Sequence, residues 1–128
     1  MPSTIFLAED DEDMRALISS ALRTDGYHVV EARDGSELLE LLAHASITPM
    51  NRPDVIVTDV LMPGYSGLGV LAALHRSAWH VPVVLITARR DNGIALAAMR
   101  LGASALVRKP FDIDDLRTTI LNVSLDRG

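Results

Sequence analysis

Short apolar segments alternate with amphipathic segments along the whole chain, and this alternation limits the folds that the chain can adopt. Five segments are rich in Val, Ile and Leu, and most of them are apolar at nearly every position, which is typical of parallel strands buried on both faces. They are Thr4–Ala8, His28–Ala32, Asp54–Thr58, Val81–Ile86 and Ala105–Val107. Because segments with helical spacing lie between them, we predict an α/β fold with a doubly wound parallel sheet and helices on both of its faces.

The amphipathic segments predict five helices, each with an apolar stripe at the i, i+3, i+4 spacing. The stripes are Met14, Leu17, Ile18, Ala21 and Leu22; Leu38, Leu41 and Leu42; Val70, Leu71 and Leu74; Ile94 to Leu101; and Leu116, Ile120 and Val123. Gly26 and Gly102 stand just past the first and fourth helices, where glycine commonly ends a helix. For Ala45–Arg52 we predict a surface loop.

Composition excludes several classes of protein. A chain of 128 residues has the length of one domain, and its hydrophobic fraction of 48% is too high for a disordered chain. The net charge of −5 argues against direct binding to nucleic acid or to an anionic membrane. The absence of Cys excludes disulfides, thiolate zinc sites and thiol catalysis. Without a membrane-length apolar run or a secretory signal, we expect a cytoplasmic protein.

Polar side chains follow four of the five predicted strands. Glu9 and Asp10 come after the first strand, Asp59 after the third, Thr87 after the fourth and Lys109 after the fifth. Each has an ordinary structural role when taken alone, because acidic residues favour helix N-termini and a single lysine is usually solvated. Ligands of doubly wound sheets bind beyond the carboxyl ends of the strands, so we expect these side chains to meet at one edge.

Three converging carboxylates repel one another, and each close pair costs on the order of 4 kcal/mol at an effective dielectric constant of about 20. Such a cluster needs a cation or a proton. Oxygen donors without His or Cys favour a hard cation such as Mg²⁺. Three carboxylates, Mg²⁺ and Lys109 together carry no net charge, and they suit attack by a carboxylate on phosphorus to give an aspartyl phosphate.

Four sequence segments match those of a known family, and they occur in the same order and at the same spacing as in that family. They are IFLAEDDEDMR, PDVIVTDVLMPG followed by Ser66–Gly67, VPVVLITA and AMRLGASALVRKPF. Over about Thr4 to Val123 the chain resembles the receiver domain of two-component response regulators. The resemblance implies a flavodoxin-like (βα)5 sheet with strand order 2-1-3-4-5, in a single receiver domain that spans residues 1–128.

The resemblance also implies a metal site beside the phosphoacceptor. It makes Asp59 both the phosphoacceptor and a metal ligand, and it makes Asp10 a direct ligand of Mg²⁺ or Mn²⁺. Glu9 is the partner of Asp10 in the acidic pocket and acts through water. The backbone carbonyl of Leu61 completes the protein ligands.

The phosphoryl group has its own set of implied contacts. Thr87 and the backbone of Ala88 bind it, Lys109 pairs with one of its oxygens, and Lys109–Pro110 is a cis peptide, since cis is accessible only before proline. By the same resemblance, the phosphodonor is expected to be a phosphohistidine of a sensor histidine kinase or phosphotransfer protein. The resemblance also implies that the domain catalyses only its own phosphorylation and slow autodephosphorylation and is not a turnover enzyme.

Two positions differ from the family pattern or modify its chemistry. The family usually has Tyr or Phe three residues before the lysine, where this chain has Leu106, so the aromatic conformational switch cannot be carried over. Leu106 is equally consistent with an ordinary apolar residue of the fifth strand. Leu61 and Arg89 flank the path of the hydrolytic water, and because Leu61 offers no general base we predict slow autodephosphorylation.

The output of the domain is left open by the sequence. The fourth helix, fifth strand and fifth helix form the usual signalling face of the family, here for a downstream protein partner. Its arginines, which are equally consistent with a solvated face, are Arg89, Arg90, Arg100, Arg108 and Arg117. The chain is either a stand-alone receiver or the N-terminal receiver of a longer transcription regulator.

Three other functions use a similar fold or similar residues. A phosphatase of the haloacid dehalogenase type carries a second Asp two residues after its nucleophile, where this chain has Leu61. A flavodoxin-like cofactor binder needs a Gly-, Ser- or Thr-rich phosphate loop after the first strand, where this chain is acidic. A pseudo-receiver that works without phosphorylation is disfavoured by the intact set of polar residues, but Leu106 keeps that alternative open.

Overall fold

The computed structural model describes residues 3–76, 80–88 and 92–126. Five parallel strands form the main sheet of this part of the chain, in the order β2-β1-β3-β4-β5. They are β1 (Thr4–Ala8), β2 (His28–Ala32), β3 (Val55–Asp59), β4 (Val83–Thr87) and β5 (Ala105–Arg108). The predicted α/β fold and the strand order 2-1-3-4-5 are confirmed.

Five α-helices connect or follow these strands in the described residues. They are α1 (Glu12–Thr24), α2 (Gly35–Ile47), α3 (Gly67–Arg76), α4 (Asn92–Arg100) and α5 (Ile113–Asp126). The side chain of Asp11 accepts a hydrogen bond from the Met14 amide at 2.8 Å and so caps the start of α1. Gly26 and Gly102 follow α1 and α4 with φ values of 95° and 89°, a conformation that favours glycine. None of the described helices combines the length and apolar character needed to cross a bilayer.

The two faces of the sheet bury separate clusters of apolar side chains, because successive strand residues point to opposite faces. On one face, residues such as Phe6 and Leu85 pack with α2, α3 and α4. On the other, residues such as Leu7 and Ile86 pack with α1 and α5. The sheet is therefore covered by helices on both faces, as the apolar strand sequences predict.

The predicted surface loop at Ala45–Arg52 is wrong for its first part. Helix α2 continues to Ile47, and a 3₁₀ turn follows at Pro49–Asn51. Ala45 is fully buried and lies on the same helical stripe as Leu38 and Leu42, so its burial stabilises the extra turn. The segment predicted as a surface loop therefore contains one residue of the hydrophobic core, Ala45.

A short two-stranded hairpin fills the connection between β3 and α3. Leu61 and Met62 pair antiparallel with Ser66 and Tyr65, respectively. Gly64 turns the chain with a φ of 68°. This Leu61–Ser66 hairpin lies directly after Asp59, at the edge of the sheet where the polar side chains were expected to meet.

Candidate functional site

Three carboxylates meet at the carboxyl ends of β1 and β3. Oxygen atoms of Glu9, Asp10 and Asp59 all lie within 4.8 Å of one another. Glu9 is fully buried, Asp59 is 5% exposed and Asp10 is exposed. Because β1 and β3 are adjacent parallel strands, residues at their carboxyl ends emerge side by side. The structure thus brings together the three acidic residues that were predicted from their positions after the strands.

Lys109, the only lysine of the chain, directly follows the carboxyl end of β5, and its side chain reaches this acidic cluster. Its Nζ lies 2.8 Å from Glu9 Oε1 and 3.2 Å from Asp59 Oδ1. The Lys109 amide donates to the Thr87 carbonyl at 2.8 Å, and the peptide bond between Lys109 and Pro110 is cis. The ammonium group is therefore in contact with both buried carboxylates.

Burial and mutual repulsion set the protonation of the cluster. Burial, reinforced by the neighbouring Glu9, raises the pKa of Asp59 to about 8. Burial also opposes ionisation of Glu9, but hydrogen bonds with Asp59 and Lys109 hold the pKa of Glu9 below its ordinary value. Glu9 is thus the ionised partner of Lys109, and without another cation the cluster tends to keep a proton on Asp59.

The donor set fits a hard divalent cation. Asp59 Oδ1 is buried and has no hydrogen-bond partner among the described residues, since the nearby Lys109 Nζ is not in hydrogen-bonding geometry with it. Carboxylate oxygens at this spacing, with exposed Asp10 open to water, suit the mixed carboxylate and water coordination of Mg²⁺. Leu61, the predicted carbonyl ligand, lies at the start of the hairpin two residues beyond Asp59.

Gly67 allows the first turn of α3 to pack directly against the backbone of Asp59 and Val60. Its amide donates to the Val60 carbonyl at 2.6 Å. A Cβ atom at this position would lie 2.8 Å from the carbonyl oxygen of Asp59, which is closer than side-chain carbons approach. The absence of a side chain at Gly67 therefore lets the chain turn from β3 into α3 without moving Asp59.

We predict that Gly67→Ala lowers the free energy of unfolding by about 1–3 kcal/mol, because the new methyl group must displace the Asp59 backbone. Gly69→Ala is the matched control, since a Cβ atom there meets nothing within 4 Å. In the same helix that change should stabilise the protein by about 0.5–1 kcal/mol. Urea denaturation of the two variants measures both values, and equal effects of the same sign would contradict this account of Gly67.

The remaining predicted site residues lie around the cluster. Thr87 is buried at the end of β4, and Ala88 follows it on the surface. Leu106 is half-buried in β5 and pairs with Leu85 of β4. It packs against the hydrophobic core on the face of the sheet that α2, α3 and α4 cover. Leu106 thus has the packing of an ordinary apolar strand residue.

The arginines of the predicted signalling face differ in their contacts. Arg89 and Arg90 lie outside the described residues. Arg117 forms ion pairs with Asp25 and Asp114, which occupy its guanidinium group within this chain. Arg100 and Arg108 are exposed. Two of the predicted arginines are therefore presented to solvent in the described part of this face.

Two residues beside the site, Arg15 and Tyr65, are not among the residues that the sequence predicts for it. Arg15 of α1 donates to the Glu9 carbonyl at 3.0 Å, and the side chain of Arg15 is largely buried. The Tyr65 hydroxyl lies 3.0 Å from Thr58 Oγ1, next to Asp59. Arg15 lies about one turn into α1, six residues after Glu9. This spacing could have suggested the contact of Arg15 with the backbone at the end of β1.

Comparison with known proteins agrees with the geometry. The sequence model of the family described as "Response regulator receiver domain" matches residues 5–121. Response regulator MprA of Mycobacterium sp. (strain KMS) is 34% identical over 132 aligned positions, which cover 100% of this chain and 55% of MprA. The DNA-binding transcriptional regulator NtrC of Escherichia coli (strain K12) is 33% identical over 111 positions, covering 87% of this chain and 22% of NtrC.

Solved structures show the same likeness. A response regulator receiver domain protein from Clostridium thermocellum superposes with a TM-score of 0.85 and 29% sequence identity, covering 98% of this chain and 96% of that chain. The chain spans about half the length of the MprA relatives that it matches, or less for NtrC. From the sequence match, the fold and the convergence of Glu9, Asp10, Asp59 and Lys109, the chain belongs to the family of response regulator receiver domains of two-component systems.

Proposed function

We propose that the protein is a phosphorylation switch in which Asp59 accepts a phosphoryl group in a Mg²⁺-dependent reaction. The observation that carries the proposal is the convergence of Glu9, Asp10 and Asp59 within 4.8 Å, with Lys109 in contact with the two buried carboxylates. The donor is the phosphohistidine of a sensor histidine kinase or of a phosphotransfer protein. Leu61 stands two residues after Asp59, where a phosphatase of the haloacid dehalogenase type carries a second Asp, so transfer to Asp59 fits this chain better than turnover of free phosphate esters.

Asp59 supplies the nucleophile. One of its carboxylate oxygens bonds to phosphorus while the bond between phosphorus and the imidazole nitrogen breaks, and the imidazole leaves with that electron pair. Lys109 Nζ, already 3.2 Å from Asp59 Oδ1, can pair with an oxygen of the transferred group. Thr87 and the backbone of Ala88 are proposed to bind its other oxygens. Mg²⁺, when bound, would offset the negative charge of the carboxylates and the phosphoryl group.

Incubation with Mg²⁺ and phosphoramidate tests the proposal directly. We expect the intact mass to increase by one phosphoryl group, and we expect EDTA to prevent the increase. The small donor removes the need for an identified kinase, so the chemistry of the domain is measured alone. If the folded protein gains no mass, the switch is excluded and a pseudo-receiver that acts without phosphorylation becomes the better account.

The phosphorylated state is proposed to be long-lived, because Leu61 beside the site cannot act as a general base toward water. Leu61→Asn should shorten the half-life of the phosphoprotein severalfold by giving the hydrolytic water a hydrogen-bond partner. Leu121→Asn is the matched control, since Leu121 of α5 is 48% exposed and Leu61 is 50% exposed. Release of inorganic phosphate after removal of the donor measures the rates. A wild-type half-life of seconds would contradict the prediction.

We further propose that phosphorylation changes the surface formed by α4, β5 and α5, and that a downstream protein binds there. Phosphorylation would favour one of two existing conformations through the added contacts of Thr87 and Lys109. The similarity to NtrC, a DNA-binding transcriptional regulator, supports an output in gene regulation, either through a further domain of the same protein or through a separate protein. The net charge of −5 argues against direct DNA binding by this domain.

A further inference from the structure

Tyr65 connects the Leu61–Ser66 hairpin to the strand that carries Asp59. Its hydroxyl lies 3.0 Å from Oγ1 of Thr58, which is fully buried in β3. Thr58 Oγ1 in turn donates to the Asp59 carbonyl at 3.1 Å. A threonine hydroxyl has only one hydrogen to donate, so the Tyr65 hydroxyl is the donor to Thr58. A chain of two hydrogen bonds therefore joins the hairpin to the backbone of the phosphoacceptor.

The ring of Tyr65 is fixed by a second contact, with the first residue of α2. A Cβ atom built on Gly35 would overlap Cβ, Cγ and Cδ2 of Tyr65, so the ring occupies the space that a side chain at position 35 would need. Gly35 is buried, and Asp34 caps the helix that begins there by accepting from the Glu37 amide at 2.9 Å. The ring thus rests on a rigid helix start, while the hydroxyl reaches β3.

Tyr65 is one of the contacts that restrain the position of Leu61. Within the hairpin, Met62 pairs with Tyr65 and Leu61 pairs with Ser66. A hairpin with two residues in each strand is not stable by itself, so its place depends on such anchors. The anchor at Tyr65 is the one in the hairpin that combines a hydroxyl contact to β3 with a ring contact to α2.

We propose that Tyr65 is a positioning residue that holds the hairpin so that the Leu61 carbonyl faces the cation held by the carboxylates. This inference rests on the proposed function and adds to it a residue outside the acidic cluster. When the hydroxyl contact is lost, the hairpin spends less time in the conformation that binds the cation. The apparent dissociation constant then rises in proportion to the loss of that population.

Calorimetric titration with Mg²⁺ alone tests the proposal. Tyr65→Phe keeps the ring on Gly35 and removes only the hydroxyl, and we expect the Mg²⁺ dissociation constant to rise about three- to tenfold, as for one lost hydrogen bond. Tyr27→Phe is the matched control, because Tyr27 is the only other tyrosine and packs with the cluster on the α1 and α5 face. Its dissociation constant should stay within about twofold of the wild-type value.

If Tyr65 served only to stabilise the fold, Tyr65→Phe and a destabilising core variant would affect Mg²⁺ binding alike. Ile120→Val, a change in the buried core of α5, lowers the free energy of unfolding without touching the hairpin. It should leave the Mg²⁺ affinity unchanged at a temperature where all variants are folded. Hydrogen exchange of the Gly67 amide, which donates to Val60 just before the hairpin, should be faster in Tyr65→Phe than in Ile120→Val.

Thr58 provides the second arm of the test. Thr58→Val removes the acceptor of the Tyr65 hydroxyl, so Tyr65→Phe should weaken Mg²⁺ binding no further in the Thr58→Val background. Thr58→Ser keeps the hydroxyl and should bind Mg²⁺ as the wild type does. Unchanged affinity in Tyr65→Phe, beside a wild type that binds Mg²⁺, overturns this inference alone. A wild type that binds no Mg²⁺ overturns the proposed function and the inference together.

Discussion

Asp59→Asn is expected to abolish Mg²⁺-dependent phosphorylation completely. The amide has nearly the same shape as the carboxylate, but its nitrogen and carbonyl oxygen are poor nucleophiles toward phosphorus. Oδ1 of the buried Asp59 has no hydrogen-bond partner among the described residues, whereas the carboxylate of the buried Glu9 is paired with Lys109 at 2.8 Å, so Asp59 is the better placed acceptor. Intact mass after incubation with Mg²⁺ and phosphoramidate measures the effect.

Asp13→Asn is the matched control for this loss. Asp13 lies exposed in the first turn of α1, and the same chemical change there should leave the added mass unaltered. An added phosphoryl group in Asp59→Asn would show that another residue of the acidic cluster is the acceptor. The unfolding midpoint of both variants, measured in EDTA, verifies that each is folded.

The second large effect is expected for Lys109→Met in the absence of metal. Among the described residues, Lys109 is the only cation that forms an ion pair with the carboxylate of the fully buried Glu9, and Glu9 in turn lies beside Asp59. Removing one partner of a buried ion pair leaves an uncompensated charge, which typically costs 3–5 kcal/mol. Because 25% of the Lys109 side chain is exposed, we expect the low end of this range, about 3 kcal/mol.

Arg108→Met is the control for Lys109→Met, because it removes one positive charge from the exposed neighbouring position of β5. Denaturant unfolding in EDTA should show a change of no more than about 0.5 kcal/mol for that variant. Addition of Mg²⁺ should restore part of the stability that Lys109→Met loses, since a cation then balances the carboxylates. Equal destabilisation by the two changes would contradict a role for Lys109 in neutralising Glu9.

Much of the fold and of the site follows from regularities along the chain. The apolar strand sequences predict a sheet covered on both faces, and parallel pairing then brings the residues after each strand to one edge. Glu9, Asp59 and Lys109 are far apart in the chain, and the structure places them in contact as their strand-end positions predict. The order of the strands required the resemblance to a family, because alternation alone is compatible with several orders.

Other features depend on packing that has no local pattern. The contact of Tyr65 with Thr58 requires a particular path of the hairpin between β3 and α3, and Pro63–Gly64 indicates a turn there but not where the hairpin packs. The extra turn of α2 at Ala45 depends on a core position against the sheet. Small residues such as Ala45 fit a buried helix and a surface loop equally well, so their burial cannot be assigned before the fold is known.

The central claim is that Asp59 itself carries the phosphoryl group, and chemical mapping of the modified residue tests it most directly. The protein is phosphorylated with phosphoramidate and Mg²⁺ and then treated with borohydride, which reduces an aspartyl phosphate to homoserine and leaves an unmodified carboxylate unchanged. Peptide mass spectrometry should locate homoserine at position 59 and nowhere else. Homoserine at Asp10 is excluded by this account, and so is 2-amino-5-hydroxypentanoic acid at position 9, the product that a phosphorylated Glu9 would give on reduction. Either product, or a phosphoryl group on histidine, would contradict it.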